Sequence, residues 1–198
     1  MLTFYLVRHG NTVYNRDKIV TGQSDSSLTV EGLKNGHQIA ERLKDIHFSA
    51  IYTSDLSRAL LTAKIIADVL KVKAIITARE LREIDYGIYT NQSKAEIKEL
   101  CPQYKNDASY VFPGGESFYQ VETRVGKFIE HLEEEHHGQT VLLVAHSGVI
   151  RSVLCHFHGW DLQEHLSMRL SHKYIGKFVI DDHKLLSYVN LEGGLDSL

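Results

Sequence analysis

The stretch Thr3-Phe4-Tyr5-Leu6-Val7-Arg8-His9-Gly10 sets a short β-rich apolar run against two polar ligands and a glycine, and Thr140-Val141-Leu142-Leu143-Val144-Ala145-His146-Ser147-Gly148 repeats the pattern late in the chain. Residues 3–7 and 140–145 are apolar at nearly every position, not at every second one, as expected of strands buried on both faces. Each runs straight into a histidine. Sheets of this kind are covered by helices on both sides, and they collect ligands at the carboxyl ends of their strands.

The intervening sequence supplies the helices. Residues 29–44 start at Thr29, a good N-cap, and carry Leu33, Ala40 and Leu43 at helical spacing. Residues 56–70 place Leu56, Ala59, Leu60, Ala63, Ile66, Ala67 and Leu70 on one face, with Ser54 or Asp55 in the N-cap position. Residues 116–136 repeat the pattern through Phe118, Val121, Val125, Phe128, Ile129 and Leu132, and residues 148–157 suit a shorter, more buried helix. Alternation of strands and helices predicts an α/β fold: a three-layer domain with a largely parallel central sheet and helices on both faces. A single domain over residues 1–198 is expected, since no repeat, linker or composition break interrupts it. Pro102 and Pro113 bracket a polar stretch leading into Gly114-Gly115, so residues 88–115 read as a short irregular excursion.

With 198 residues, 43% hydrophobic and 24% charged, the chain can bury a sizeable core. Its net charge of -3 and dispersed Lys and Arg offer no footprint for nucleic acid or an anionic membrane. Cys101 and Cys155 are too few and too distant for a disulfide framework, and no run is long enough to span a bilayer or to act as a signal peptide. A cytoplasmic protein is expected, and a homodimer stays open. Among the 12 histidines, His131, His136 and His137 lie beside a Glu-rich run that reads as an exposed helix face; the spacing is not that of HExxH and lacks a third ligand, so no metal site is assigned.

Arg8-His9-Gly10 and His146-Ser147-Gly148 both follow buried strands, and the second opens a helix whose free N–H groups favour an anion. Taken singly they are ambiguous: His9 could finish a strand with a backbone hydrogen bond, and His146 could cap a helix or pack in the core. Ser54-Asp55-Leu56-Ser57-Arg58-Ala59-Leu60-Leu61-Thr62-Ala63 tips the balance, because Arg58 sits in the first turn of an otherwise apolar helix and calls for an anion. Leu81-Arg82-Glu83-Ile84-Asp85-Tyr86-Gly87 is an acidic segment with an aromatic and a turn glycine, which alone reads as a loop with solvated charges.

In order along the chain, Tyr5 to Asn15, Ser54 to Ala63, Leu81 to Gly87, Gly115-Glu116-Ser117 and Ala145 to Gly148 resemble the histidine phosphatase superfamily in its phosphoglycerate-mutase-like branch. The resemblance implies that His9 is the nucleophile, that Arg8, Arg58 and His146 clamp the phosphate, and that Glu83 is the general acid. It further implies substrate contacts for Asn15, Gly22, Tyr86 and Ser147. The partner implied is a small phosphorylated metabolite, with no cofactor and no metal.

A neutral imidazole can attack phosphorus in line, forming a phosphohistidine that water then hydrolyses. The second ring nitrogen of His9 should be held as N–H by a backbone carbonyl. Guanidinium groups bind two equatorial oxygens at once and stay charged. Glu83 must carry its proton when an alkyl phosphate is bound, a form that the phosphate dianion favours by like-charge repulsion. A mildly acidic optimum for alkyl phosphates follows.

Mutases of this kind carry a larger, arginine-rich insertion after the acid, whereas residues 88–115 hold only Lys94, Lys98 and Lys105; this favours hydrolysis over mutase transfer. Retention of both nucleophile and acid argues against a non-catalytic phosphate-binding protein. Two departures, Gly87-Ile88-Tyr89-Thr90-Asn91 for Gly-x-Trp-Glu-Gly and Ser27-Leu28-Thr29 for Pro-Leu-Thr, touch the walls around the leaving group and not the clamp. Tyr86, Tyr89, Tyr110 and Phe112 could form an aromatic rim, though packing of the excursion is the simpler expectation.

Overall fold

In the computed structural model, which describes residues 1–192, the two histidine-terminated runs lie side by side. Strands β1 (Leu2–Arg8) and β4 (Thr140–Ala145) pair in parallel with Arg8 opposite Ala145. Parallel pairing continues from β4 to β2 (Ala50–Thr53) and on to β3 (Ile75–Thr77). On the other side of β1 lie β5 (Ile175–Asp181) and β6 (Lys184–Asn190), each antiparallel to its neighbour, giving the order β3-β2-β4-β1-β5-β6 with β5 alone reversed.

The sheet is covered on both faces, as the apolar runs require. Tyr5, Val7, Leu142 and Val144 face a layer formed by α2 (Val30–Leu43) and α3 (Ser57–Leu70). Phe4, Leu6, Val141 and Leu143 face α5 (Phe118–Glu135) and α6 (Ser147–His158). Three shorter helices complete the fold: α1 (Val13–Arg16), α4 (Lys94–Leu100) and α7 (Leu162–His165).

Several local expectations change. Thr29 caps α2 through Gly32, but Leu33 is 40% exposed, and the buried stripe runs through Gly32, Asn35, Gly36, Ile39, Ala40 and Leu43. Gly32 and Gly36 let α2 come close to its neighbours: a Cβ on Gly32 would meet Asn11 O at 2.0 Å. Neither Ser54 nor Asp55 caps α3. Its N-cap is Leu56, while the Ser57 N–H and hydroxyl reach Asp25 Oδ1 at 3.4 and 2.7 Å. Capping comes from a distant loop, which no local pattern could reveal. Helix α5 begins at Phe118, two residues later than expected, because Ser117 and Gln120 form a capping box.

The excursion at 88–115 is less irregular than its sequence suggests, since Ser93 and Glu96 form a capping box that starts α4. Phe112 is fully buried, with Tyr86, Tyr110 and Tyr89 ring centroids at 5.0, 5.2 and 6.2 Å, so these aromatics pack the excursion and form no rim. His136 is buried too, not on an exposed face: its Nε2 lies 2.7 Å from the Tyr52 hydroxyl and its Nδ1 2.8 Å from Gln139 Oε1. No helix among the described residues is long and apolar enough to cross a membrane.

Candidate active site

Adjacent parallel strands bring the two histidines together. The His9 N–H donates to Ala145 O at 3.0 Å, and the His9 and His146 rings lie 5.0 Å apart between centroids. Both are buried, His9 at 3% and His146 at 0% exposure. The neighbouring strand β2 ends at Thr53 and leads into α3, which delivers Arg58, buried to 2%, to the same place. Thr62, one turn further, accepts from Gly10 N at 3.1 Å and donates to Arg58 O at 2.7 Å, tying the turn after β1 to α3.

The tautomer of His9 is set by its own neighbour. Nδ1–H donates to Gly10 O at 2.8 Å, which leaves Nε2 as the lone-pair nitrogen. Burial holds its pKa well below the ordinary histidine value, with further depression from His146, Arg58, Arg8 and His172. His9 is neutral at physiological pH. His146 is likewise pushed well down by burial and then by Arg58 and Arg8, and neither of its ring nitrogens has a hydrogen-bond partner among the described residues. Unpaired polar atoms at full burial are costly unless a ligand meets them.

The arginines are held from behind. Arg58 donates to Gly22 O at 2.7 Å and Ser24 O at 2.8 Å. Gly22 has φ +52°, a left-handed turn that suits glycine and aims its carbonyl at the guanidinium. Arg8 donates from one terminal nitrogen to Leu170 O and keeps Nε without a partner among the described residues; burial lowers its pKa to about 10, which leaves it charged at neutral pH.

Glu83 is placed by two different elements. Its carboxylate accepts from the Gly148 N–H at 3.0 Å, the Ser147 hydroxyl at 3.2 Å and the Ile84 N–H at 3.1 Å. The start of α6 thus meets the protein's own carboxylate, and the Ser147 hydroxyl, itself in the cavity wall, holds Glu83. Gly148 is needed for this fit, because a Cβ there would lie 2.2 Å from Glu83 Oε1. Behind the loop, Arg124 of α5 pairs with Glu116 at 2.9 Å and donates to Arg82 O at 2.8 Å, while Gln23 donates to Glu83 O at 3.2 Å. Arg82 itself forms a two-pronged pair with Asp55, each bond 2.6 Å.

One cavity gathers Arg8, His9, Asn15, Gly22, Arg58, Glu83, Tyr86, Ser147 and Gly148 in its wall, so nearly every residue singled out in sequence meets in one place. His146 lies behind it, against His9. Asn15 also accepts from Thr12 N at 3.2 Å to cap α1, and Tyr86 is a buried wall residue. Sequence reasoning missed Arg151 and His172. Arg151 lies on the second turn of α6, where it reads as one more helical cation, and lines the cavity at 3% exposure. His172 donates from Nδ1 to His9 O at 2.8 Å, a contact made across 163 residues of chain.

A sheet whose strand ends converge on a neutral histidine, paired guanidinium groups and a carboxylate is built to handle a phosphoryl group. The chain belongs to the histidine phosphatase superfamily (branch 1), which it matches over residues 4–190. It is a phosphoryl-transfer enzyme. It is 34% identical to the probable phosphoglycerate mutase GpmB of Yersinia enterocolitica over 86% of this chain and 80% of that one. It is 32% identical to phosphoserine phosphatase 1 of Hydrogenobacter thermophilus over 83% and 80%. Among solved structures, Bacillus stearothermophilus YhfR superposes with a TM-score of 0.86 at 29% identity, covering 93% and 94% of the two chains.

Proposed function

We propose that the protein is a cytoplasmic, metal-independent phosphomonoesterase of the histidine acid type, turning over through a phosphohistidine at His9. The observation that carries the reading is His9 itself: neutral, with Nδ1 committed to Gly10 O and Nε2 free to attack. Nε2 displaces the leaving oxygen from phosphorus, and the positive charge of the arginines balances the dianion through the loose transition state. Glu83 supplies the leaving oxygen with its proton. The resulting carboxylate then takes one from the water that hydrolyses the phosphohistidine, so nucleophile and acid both return to their starting forms. The unpartnered ring nitrogens of His146, among the described residues, support its reading as the third member of the phosphate clamp. Two free cysteines, both buried, suit a reducing compartment.

Mutase transfer is the alternative, supported by the mutase among the relatives and weakened by the short, arginine-free 88–115 segment. The test is p-nitrophenyl phosphate hydrolysis in EDTA, native chain against His9→Ala, with acid and alkaline quench of labelled enzyme. An alkali-stable, acid-labile phosphoenzyme that disappears with His9 is expected. Metal-dependent turnover, or turnover surviving His9→Ala, would overturn the assignment.

A further inference from the structure

The catalytic cavity opens into a second, larger cleft of about 980 Å³, and the two share Arg8, Lys94, Tyr104, Lys105, Ser147 and Arg151 as a common wall. The shared wall carries Arg8, read above as part of the phosphate clamp, so the cleft adjoins the phosphate site. Its chemistry is one-sided. Beyond Arg8 it is lined by Lys18, Lys94, Lys98, Lys105, Arg151 and Arg169, and no aspartate or glutamate lines it among the described residues. Among the described residues, none of the six cations forms an ion pair.

Like charges gathered without counter-charge repel one another, and the cost is greatest for buried members. Arg151 is 3% exposed, donates to Met168 O at 3.2 Å and leaves Nε with no partner among the described residues. At Lys105, burial, then Arg151 and Lys94, lower the pKa to about 8 despite the opposing charge of Glu83 in the adjoining cavity. The cations come from α4, the loop after it, α6, the loop before β5 and the turn after α1, so the concentration is a product of folding and not of a basic run.

Resting on the phosphatase reading above, we propose that the leaving group of the natural substrate carries a second phosphate, bound in this cleft by Lys94, Lys98, Lys105 and Arg151. A single carboxylate would use only one or two of these cations. A phosphate dianion with three terminal oxygens can engage several at once. The 980 Å³ cleft has room for a leaving group of metabolite size.

The test measures inhibition of p-nitrophenyl phosphate turnover by three matched pairs: fructose 1,6-bisphosphate with fructose 6-phosphate, 2,3-bisphosphoglycerate with 3-phosphoglycerate, and adenosine 3′,5′-bisphosphate with adenosine 5′-monophosphate. At least one bisphosphate should bind about tenfold or more tighter than its partner, and that preference should weaken as salt rises. In Lys98→Gln/Lys105→Gln, whose side chains are not fully buried, the preference should shrink to about threefold or less, and Arg151→Lys should restore less of it than native arginine supplies. Circular dichroism of each variant guards against a folding defect. A preference of less than about tenfold in every pair overturns the proposal while leaving the phosphatase reading intact. Absence of any p-nitrophenyl phosphate turnover removes the phosphatase reading and this inference with it.

Discussion

Glu83 and His9 divide the chemistry, and each can be tested alone. Replacing Glu83 by Gln removes the proton that an alkoxide needs, whereas a nitrophenolate leaves without one. Alkyl phosphate turnover should therefore fall by about 10²–10⁴ and aryl turnover by less than about tenfold; equal losses measured with both substrates would exclude the acid role. His9 must be neutral to attack, and burial with His146, Arg58 and Arg8 disfavours its protonated form. The acid limb of kcat/KM, corrected for ionisation of the substrate, should accordingly fall well below the ordinary histidine range of about 6.5. A limb at or above that value in the native enzyme would mean that His9 is not held neutral by its surroundings.

Between the elements, α6 and α5 position the acid through Gly148 and Arg124. Gly148→Ala would push a methyl group onto Glu83 Oε1, which lies 2.2 Å from where the Cβ would stand. Displacing the carboxylate should cost alkyl turnover at least about tenfold, with aryl turnover less affected and the fold retained. Arg124→Gln acts on the same loop from behind, because Arg124 joins Glu116 to the carbonyls of Arg82 and Glu80. Loss of these charge-assisted bonds should lower stability by about 1.5–3 kcal/mol in urea unfolding and shift the alkyl-to-aryl ratio in the same direction as Gly148→Ala. An unchanged ratio in both variants would separate α5 and α6 from the acid's placement.

For the molecule as a whole, the neutral histidines link catalysis to acid stability. Burial, then Arg8, lowers the pKa of His172 to about 4, and His9 and His146 are lowered as well. Below about 6.5 the unfolded chain takes up protons that the folded chain refuses, so stability is complete above that pH and declines as pH falls toward the folded values. His172 alone should cost about 2 kcal/mol by pH 5. Urea midpoints at pH 7.5 and 5 should show a smaller drop for His172→Gln than for the native chain; equal drops would assign the acid sensitivity elsewhere. The mildly acidic optimum expected for alkyl phosphates thus has a limit set by the histidines that make the site.

The sequence by itself determined the strands that end in His9 and His146, the amphipathic helices, and hence the covered, largely parallel sheet, because burial on two faces leaves a continuous apolar run and burial on one leaves a helical stripe. It also carried Arg58, since a charge on an otherwise apolar helix needs a partner, whereas Arg8 and Glu83 took their roles from the family resemblance. Tertiary structure alone decided which groups meet. Asp25 supplies the start of α3, Ser147 and Gly148 hold Glu83, and His172 reaches the His9 carbonyl. The cationic cleft was invisible for the same reason. Its lysines and arginines are scattered singly along the chain, and each looks like a solvated surface charge until folding sets them around one space.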